Sequence, residues 1–247
     1  LPVHKGALGQ GVIFQDHVVR DGQGGGQAHA QPVLGYEGQG DPDLLDLGGS
    51  LPHQLLSGLV HRDMADPLAR LEQEGVLLAE KTGEALRNVM FDICFTSPLT
   101  RARQTARLVL GGRDIPVIPD KRIQEINFGV LEGHIMRTGN TMESNCEEFD
   151  LFFKDPLKFP RPENGENIQD ILDRTREFWL EKTSDPSLAD KTILVSSHGC
   201  AVRALLQNLY KDPEHFWHGC VPPNCSINLV EVKDGKARFL EEDKVYA

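Results

Sequence analysis

The stretch Phe91-Asp92-Ile93-Cys94-Phe95-Thr96-Ser97-Pro98-Leu99-Thr100-Arg101-Ala102-Arg103-Gln104-Thr105-Ala106 decides how this chain is read. Phe91–Phe95 is a short apolar run of the kind that forms a buried strand. Leu99, Ala102, Ala106 and Val109 then fall on one side of a helix that Gly111-Gly112 ends. Strand, tight turn and helix thus follow one another, with Arg101 in the first helical turn. That junction suits an anion, because a helix start offers unpaired N–H groups and partial positive charge, and an arginine adds a planar fork of donors. An arginine that merely solvates a helix start is the competing reading.

Outward from this stretch the pattern stays regular. Leu78, Ala85, Leu86 and Val89 predict one face of a helix over about Gln73 to Asn88, and Ile115–Ile118 a short strand interrupted by Pro116. Asn167 is placed to cap a helix beginning at Ile168, with Asp170 in its first turn and Ile168, Ile171, Leu172 and Trp179 on its buried side. Thr192-Ile193-Leu194-Val195 is a continuous apolar strand, as in sheets covered on both faces, and a helix over Ala201–Tyr210 follows. Ser226–Val232 and Ala237–Leu240 predict a C-terminal hairpin. Alternating strands and helices give an α/β fold: a three-layer α/β/α sandwich around a mostly parallel sheet.

Residues 1–65 are unlike the rest. They are rich in Gly, Gln and His, contain a single lysine, and keep no helical or strand period beyond fragments such as Val12-Ile13-Phe14. Such a segment buries too little apolar surface to offset its ordering entropy, so it is expected to be poorly ordered, with the folded domain over 66–247. Gly22-Gln23-Gly24-Gly25-Gly26 lacks the strand, helix and lysine of a phosphate loop.

The 247 residues carry a net charge of −11, which argues against nucleic acid and anionic membranes as partners. No apolar run approaches the roughly 20 residues that span a bilayer, and no export signal stands at the start. Five scattered cysteines (Cys94, Cys146, Cys200, Cys220, Cys225) fit a reduced, cytoplasmic compartment.

Two further segments carry chemistry. In Ser196-Ser197-His198-Gly199-Cys200 a buried strand again runs into a turn and a helix, and His198 falls at the strand's C-terminal edge, where open α/β sheets bind ligands. In Arg122-Ile123-Gln124-Glu125-Ile126-Asn127-Phe128-Gly129-Val130-Leu131-Glu132-Gly133, Glu125 lies between two isoleucines, where a partly desolvated carboxyl can serve as a proton donor. An ion pair of Glu125 with Arg122 or Lys121 is the alternative.

Together, TSPLTRARQTA, EINFGVLEG, Gly165-Glu166-Asn167 after a Pro-rich loop, and LVSSHG resemble the histidine phosphatase superfamily, which includes phosphoglycerate mutases. The likeness covers roughly Asp66 to the C-terminus, with a weak echo of a further family loop in His61-Arg62-Asp63-Met64-Ala65-Asp66-Pro67-Leu68. It implies a phosphoglycerate mutase-like fold and phosphomonoester chemistry on a small phosphorylated substrate, through a phosphohistidine and without metal or other cofactor. By motif, Arg101 would clamp phosphoryl oxygens, His198 would be the second, charge-stabilising histidine, and Glu125 the general acid and later the base.

The family's nucleophile lies in an Arg-His-Gly-Glu motif about 50 residues before the arginine that Arg101 matches. No Arg-His-Gly occurs in this sequence, and His53 stands in Leu51-Pro52-His53-Gln54 without the motif around it. The nucleophile is therefore unassigned and the first strand is expected to be missing or replaced, with Val12–Phe14 or Val33-Leu34-Gly35-Tyr36 as substitutes. The composition shift near Asp66 and the lack of an initial Met point to unrelated N-terminal sequence, through a frame change, a wrong start or gene decay.

Phosphatase, noncatalytic phosphoester binder and mutase-like phosphotransfer remain the open functional classes. A metal module of His215, His218, Cys220 and Cys225 fits no familiar zinc spacing, and Cys200 is either a reactive thiol or a small buried residue. Phe149, Phe152, Phe153 and Phe159 either line a pocket or pack.

Overall fold

The computed structural model describes residues 10–15, 73–132, 137–138, 141–142, 147–212, 215–233 and 235–246, with backbone alone for 10–15, 137–138, 141–142 and 147–149. The elements in chain order are β1 (Gln10–Gln15), α1 (Gln73–Ala85), β2 (Ile93–Thr96), α2 (Thr100–Leu110), β3 (Val117–Pro119) and the two-residue strands β4 (Arg137–Thr138) and β5 (Thr141–Met142). They continue with α3 (Glu147–Lys154), α4 (Ile168–Ser184), β6 (Thr192–Ser197), α5 (Gly199–Leu206), β7 (Ile227–Lys233) and β8 (Lys236–Lys244). Six strands form one sheet in the order β3-β2-β6-β1-β7-β8. β3, β2, β6 and β1 run parallel, and the hairpin β7–β8 closes the far edge antiparallel.

The continuous apolar run of β6 is explained by its two covered faces. Leu194 packs with Cys94, Ala106, Val109 and Ile227 on the side of α1 and α2, while its neighbour Val195 packs with Phe95, Phe178, Val202 and Val230 on the side of α4 and α5. The same alternation splits Cys94 from Phe95 in β2, so the three-layer sandwich follows from strand geometry.

The place of the first strand is filled by β1. It pairs parallel with β6 (Val12 with Leu194, Gln15 with Ser197) and antiparallel with β7 (Val12 with Leu229, Phe14 with Ile227). The substitute Val12–Phe14 is therefore the one used, and it supplies backbone partners to strands that would otherwise present open edges to each other. The other residues of 1–65, Val33–Tyr36 among them, lie outside the described residues.

Helix α1 turns a different face inward from the one its larger residues predict. Gly75, Ala79, Thr82 and Gly83 are buried with Leu86 just beyond the helix, whereas Ala85 is exposed and Leu78 half-buried. Close approach to α2 is the cause. A Cβ on Gly83 would lie 2.8 Å from the Leu108 carbonyl oxygen and 3.0 Å from that of Val109. Helix α4 matches its expectation: Asn167 accepts from the Asp170 N–H and the Asp170 carboxylate accepts from the Asn167 N–H, a full capping box.

Of the described cysteines, Cys94, Cys200 and Cys225 are buried and Cys220 is exposed, all as free thiols. Burial pushes the Cys94 thiol up to about 12. Native-state alkylation mapped by mass spectrometry should therefore modify Cys220 and spare Cys94, Cys200 and Cys225 until the chain unfolds. Gly83→Ala should lower stability by about 1–3 kcal/mol through crowding of α2, despite a helix-propensity gain of about 1 kcal/mol; urea unfolding measures the net.

Candidate active site

The segment Ser196-Ser197-His198 gathers the other pieces, one hydrogen bond per residue. Ser196 Oγ donates to the Ala102 carbonyl in the first turn of α2 (2.9 Å), and Ser197 Oγ donates to the Ile123 carbonyl (2.8 Å). His198, the N-cap of α5, places Nε2 2.7 Å from Ser97 Oγ. Strand pairing dictates this set: β2 and β6 lie side by side with Thr96 opposite Ser196, so the residues just past both strand ends meet at one rim.

Arg101 is 2% exposed in the first turn of α2, beside the Ala102 carbonyl that Ser196 holds. The first turn of α2 contains no acidic residue, so its partial positive charge and the arginine add rather than cancel. Glu125 is 3% exposed and reaches the start of α5. Its Oε1 accepts from the N–H groups of Ala201 (3.2 Å) and Ile126 (2.9 Å), and its Oε2 from that of Cys200 (3.3 Å). The carboxylate thus satisfies donors that a helix N-terminus leaves open. Arg122 pairs instead with Asp120 and Glu181, which removes the predicted alternative of an Arg122–Glu125 pair.

Sequence reasoning missed Ser97 as a site residue. It is fully buried, its Oγ accepts from the Leu99 N–H (3.3 Å), and it meets His198. The available signal was positional, since Ser97 follows β2 as His198 follows β6. The motifs EINFGVLEG and Gly165-Glu166-Asn167 prove to be two sides of one backbone crossing. Gly129 has φ +56°, and a Cβ there would lie 2.1 Å from the Glu163 carbonyl oxygen; a Cβ on Gly165 would lie 2.9 Å from that of Asn127. Only glycines allow the two loops to touch in this way.

Cys200 is an interior residue. Desolvation first, and Glu125 second, hold its thiol well above the ordinary range, so the reactive-thiol reading is not supported. The proposed metal ligands are dispersed: the exposed His215 bonds Asp212 (2.7 Å), the His218 ring stacks on Tyr210, and Cys225 is in the core beside Cys94. Among the described residues no three His, Cys, Asp or Glu side chains are grouped to hold a metal. Phe152 and Phe159 pack with Phe128 and Phe216 in a buried cluster that Phe153 and Trp217 flank, so they build core rather than pocket wall. Phe149's side chain lies outside the described residues. No helix among the described residues is long and apolar enough to cross a membrane.

Known proteins resemble this chain in sequence and in fold. Residues 61–243 match the family model of the histidine phosphatase superfamily (branch 1), a range that takes in His61–Leu68, itself outside the described residues. The chain is 35% identical over 142 residues to 2,3-bisphosphoglycerate-dependent phosphoglycerate mutase 2 of Gloeobacter violaceus, covering 56% of this chain and 64% of that protein. It is 27% identical over 161 residues to the probable 2-carboxy-D-arabinitol-1-phosphatase of Arabidopsis thaliana, covering 65% of this chain and 32% of that one. The chain therefore spans a little under two thirds of the first relative and about a third of the second. In fold it matches Bacillus stearothermophilus YhfR with a TM-score of 0.69 at 21% identity, over 96% of this chain and 98% of that one. With a match that runs from residue 61 to residue 243, this chain belongs to the histidine phosphatase superfamily.

Proposed function

We propose that this chain binds a small phosphomonoester at the rim of Arg101, Ser97 and His198, as a phosphatase of histidine phosphatase type whose hydrolytic step is impaired. The reading is carried by the 2.7 Å bond between Ser97 Oγ and His198 Nε2, which ties the anion-suited start of α2 to the start of α5. In this reading Arg101 clamps the phosphoryl oxygens and His198 offsets their charge. Glu125 protonates the leaving alcohol and then accepts a proton from water. Its Oε1 accepts two backbone N–H groups and its Oε2 one, which leaves Oε2 a lone pair to carry the proton. The names of the Gloeobacter and Arabidopsis relatives, which specify small phosphorylated compounds, support the substrate class.

The impairment is read from the sequence. Gln15 pairs with Ser197, and the next residues in sequence are Asp16 and His198. No Arg-His-Gly follows β1, whose last residue Gln15 is succeeded in sequence by Asp16-His17. The lack of that motif favours a second reading, a scaffold that binds a phosphoester without turning it over. Hydrolysis is preferred to mutase-like phosphotransfer because the stretch from Glu125 to His198 is short for the insertions that would build a second substrate site.

Calorimetry with orthophosphate tests the site: Arg101→Ala and His198→Ala should each weaken binding by about tenfold or more, and unchanged affinity in both would refute it. Turnover of p-nitrophenyl phosphate tests the chemistry. The triple variant Gln15→Arg, Asp16→His, His17→Gly should raise it on the order of 100-fold, and adding His198→Ala should abolish the gain. Native turnover that disappears in His198→Ala supports the enzyme, whereas phosphate binding without native turnover supports the scaffold.

A further inference from the structure

Glu125 is placed by no helix or strand. It lies in the coil just past the 3-10 turn Lys121–Ile123, yet its carboxylate reaches three backbone donors, two of them on α5. Something must fix the backbone from which it reaches. Arg174, on the second turn of α4, supplies that constraint. Its Nη1 donates to the carbonyls of Arg122 (2.8 Å) and Gln124 (2.6 Å), and its Nη2 to the carbonyl of Glu125 itself (3.1 Å). The remaining donors go to Glu166, Nε to Oε1 at 2.8 Å and Nη2 to Oε2 at 3.0 Å. All five N–H donors of the guanidinium are thereby engaged, three on the coil and two on the carboxylate.

Glu166 also grips the coil from its other end. Its Oε2 accepts from the Asn127 N–H (3.0 Å), and its own N–H donates to the Asn127 carbonyl (2.7 Å). The chain from Arg122 to Asn127 is therefore clamped on both sides of Glu125. An ordinary surface ion pair would spend its spare donors on water; this one spends them on three carbonyls between Arg122 and Glu125.

We propose that Arg174, oriented by Glu166, is a positioning residue that sets Glu125 on the first turn of α5 and through it holds the Cys200 and Ala201 N–H groups and the His198 cap. It rests on the reading of Glu125 and His198 as site residues only where phosphate binding is measured. Lysine cannot replace it, because three donors on a single nitrogen cannot span three carbonyls and a carboxylate.

The test is a double-variant cycle in the full chain, with backbone amide exchange by NMR as the first readout and orthophosphate affinity as the second. Arg174→Lys should speed exchange at Cys200 and Ala201 by roughly tenfold, as expected for loss of a charge-assisted hydrogen bond, and leave Val109 and Leu110 in α2 unchanged. In a Glu125→Gln background, Arg174→Lys should add little at either readout. Equal effects in the two backgrounds would overturn the proposal, as would a lowered thermal midpoint with Cys200 and Ala201 protection intact. Should Arg174→Lys not fold, Glu166→Gln, which keeps the guanidinium and loosens its orientation, must give the same pattern in weaker form. Absence of phosphate binding in the native chain would count against the proposed function, while amide exchange would still decide the role of Arg174.

Discussion

The carboxylate of Glu125 on the first turn of α5 is the contact from which the arrangement of the site follows. A helix start leaves donors without intrahelical partners, and a buried one must find acceptors for them. Here the acceptor comes from a coil more than 70 residues earlier in sequence. Because α5 starts where β6 ends, fixing its first turn also fixes the ring of His198, and with it Ser97 at the end of β2. His198 is thus held through α5 and Glu125, and Ser97 through His198.

The charge distribution shows how an acidic protein can keep a locally positive rim. The chain as a whole carries −11, and long-range attraction toward phosphate is weak. The positive features are local and buried: the start of α2 without an acidic residue, and Arg101 inside its first turn. Around them Glu125 and Glu166 are tied into hydrogen bonds with backbone groups and Arg174, which keeps their charge engaged with protein donors.

Much of this was legible in the sequence because apolar runs of four or five residues and glycine punctuation mark strand-turn-helix units directly. Arg101, Glu125 and His198 could be named because each stands at a strand end or in a short motif. Ala85 was misplaced because the inner face of α1 is defined by smallness, at Gly75, Ala79 and Gly83, rather than by hydrophobic bulk. Arg174 could not be found because its acceptors are mostly main-chain carbonyls, which no residue type advertises. β1 was legible only as a fragment, since Val12-Ile13-Phe14 sits among glycines and glutamines and becomes a strand through partners in β6 and β7.

The position of β1 also sets the order in which this sheet can be assembled. It lies between two strands that come from the last third of the chain, one parallel and one antiparallel. During synthesis the segment leaves the ribosome long before its partners, so the centre of the sheet closes late. Contacts so distant in sequence slow folding, and until they form the inner edges of β6 and β7 are open to strands of other chains.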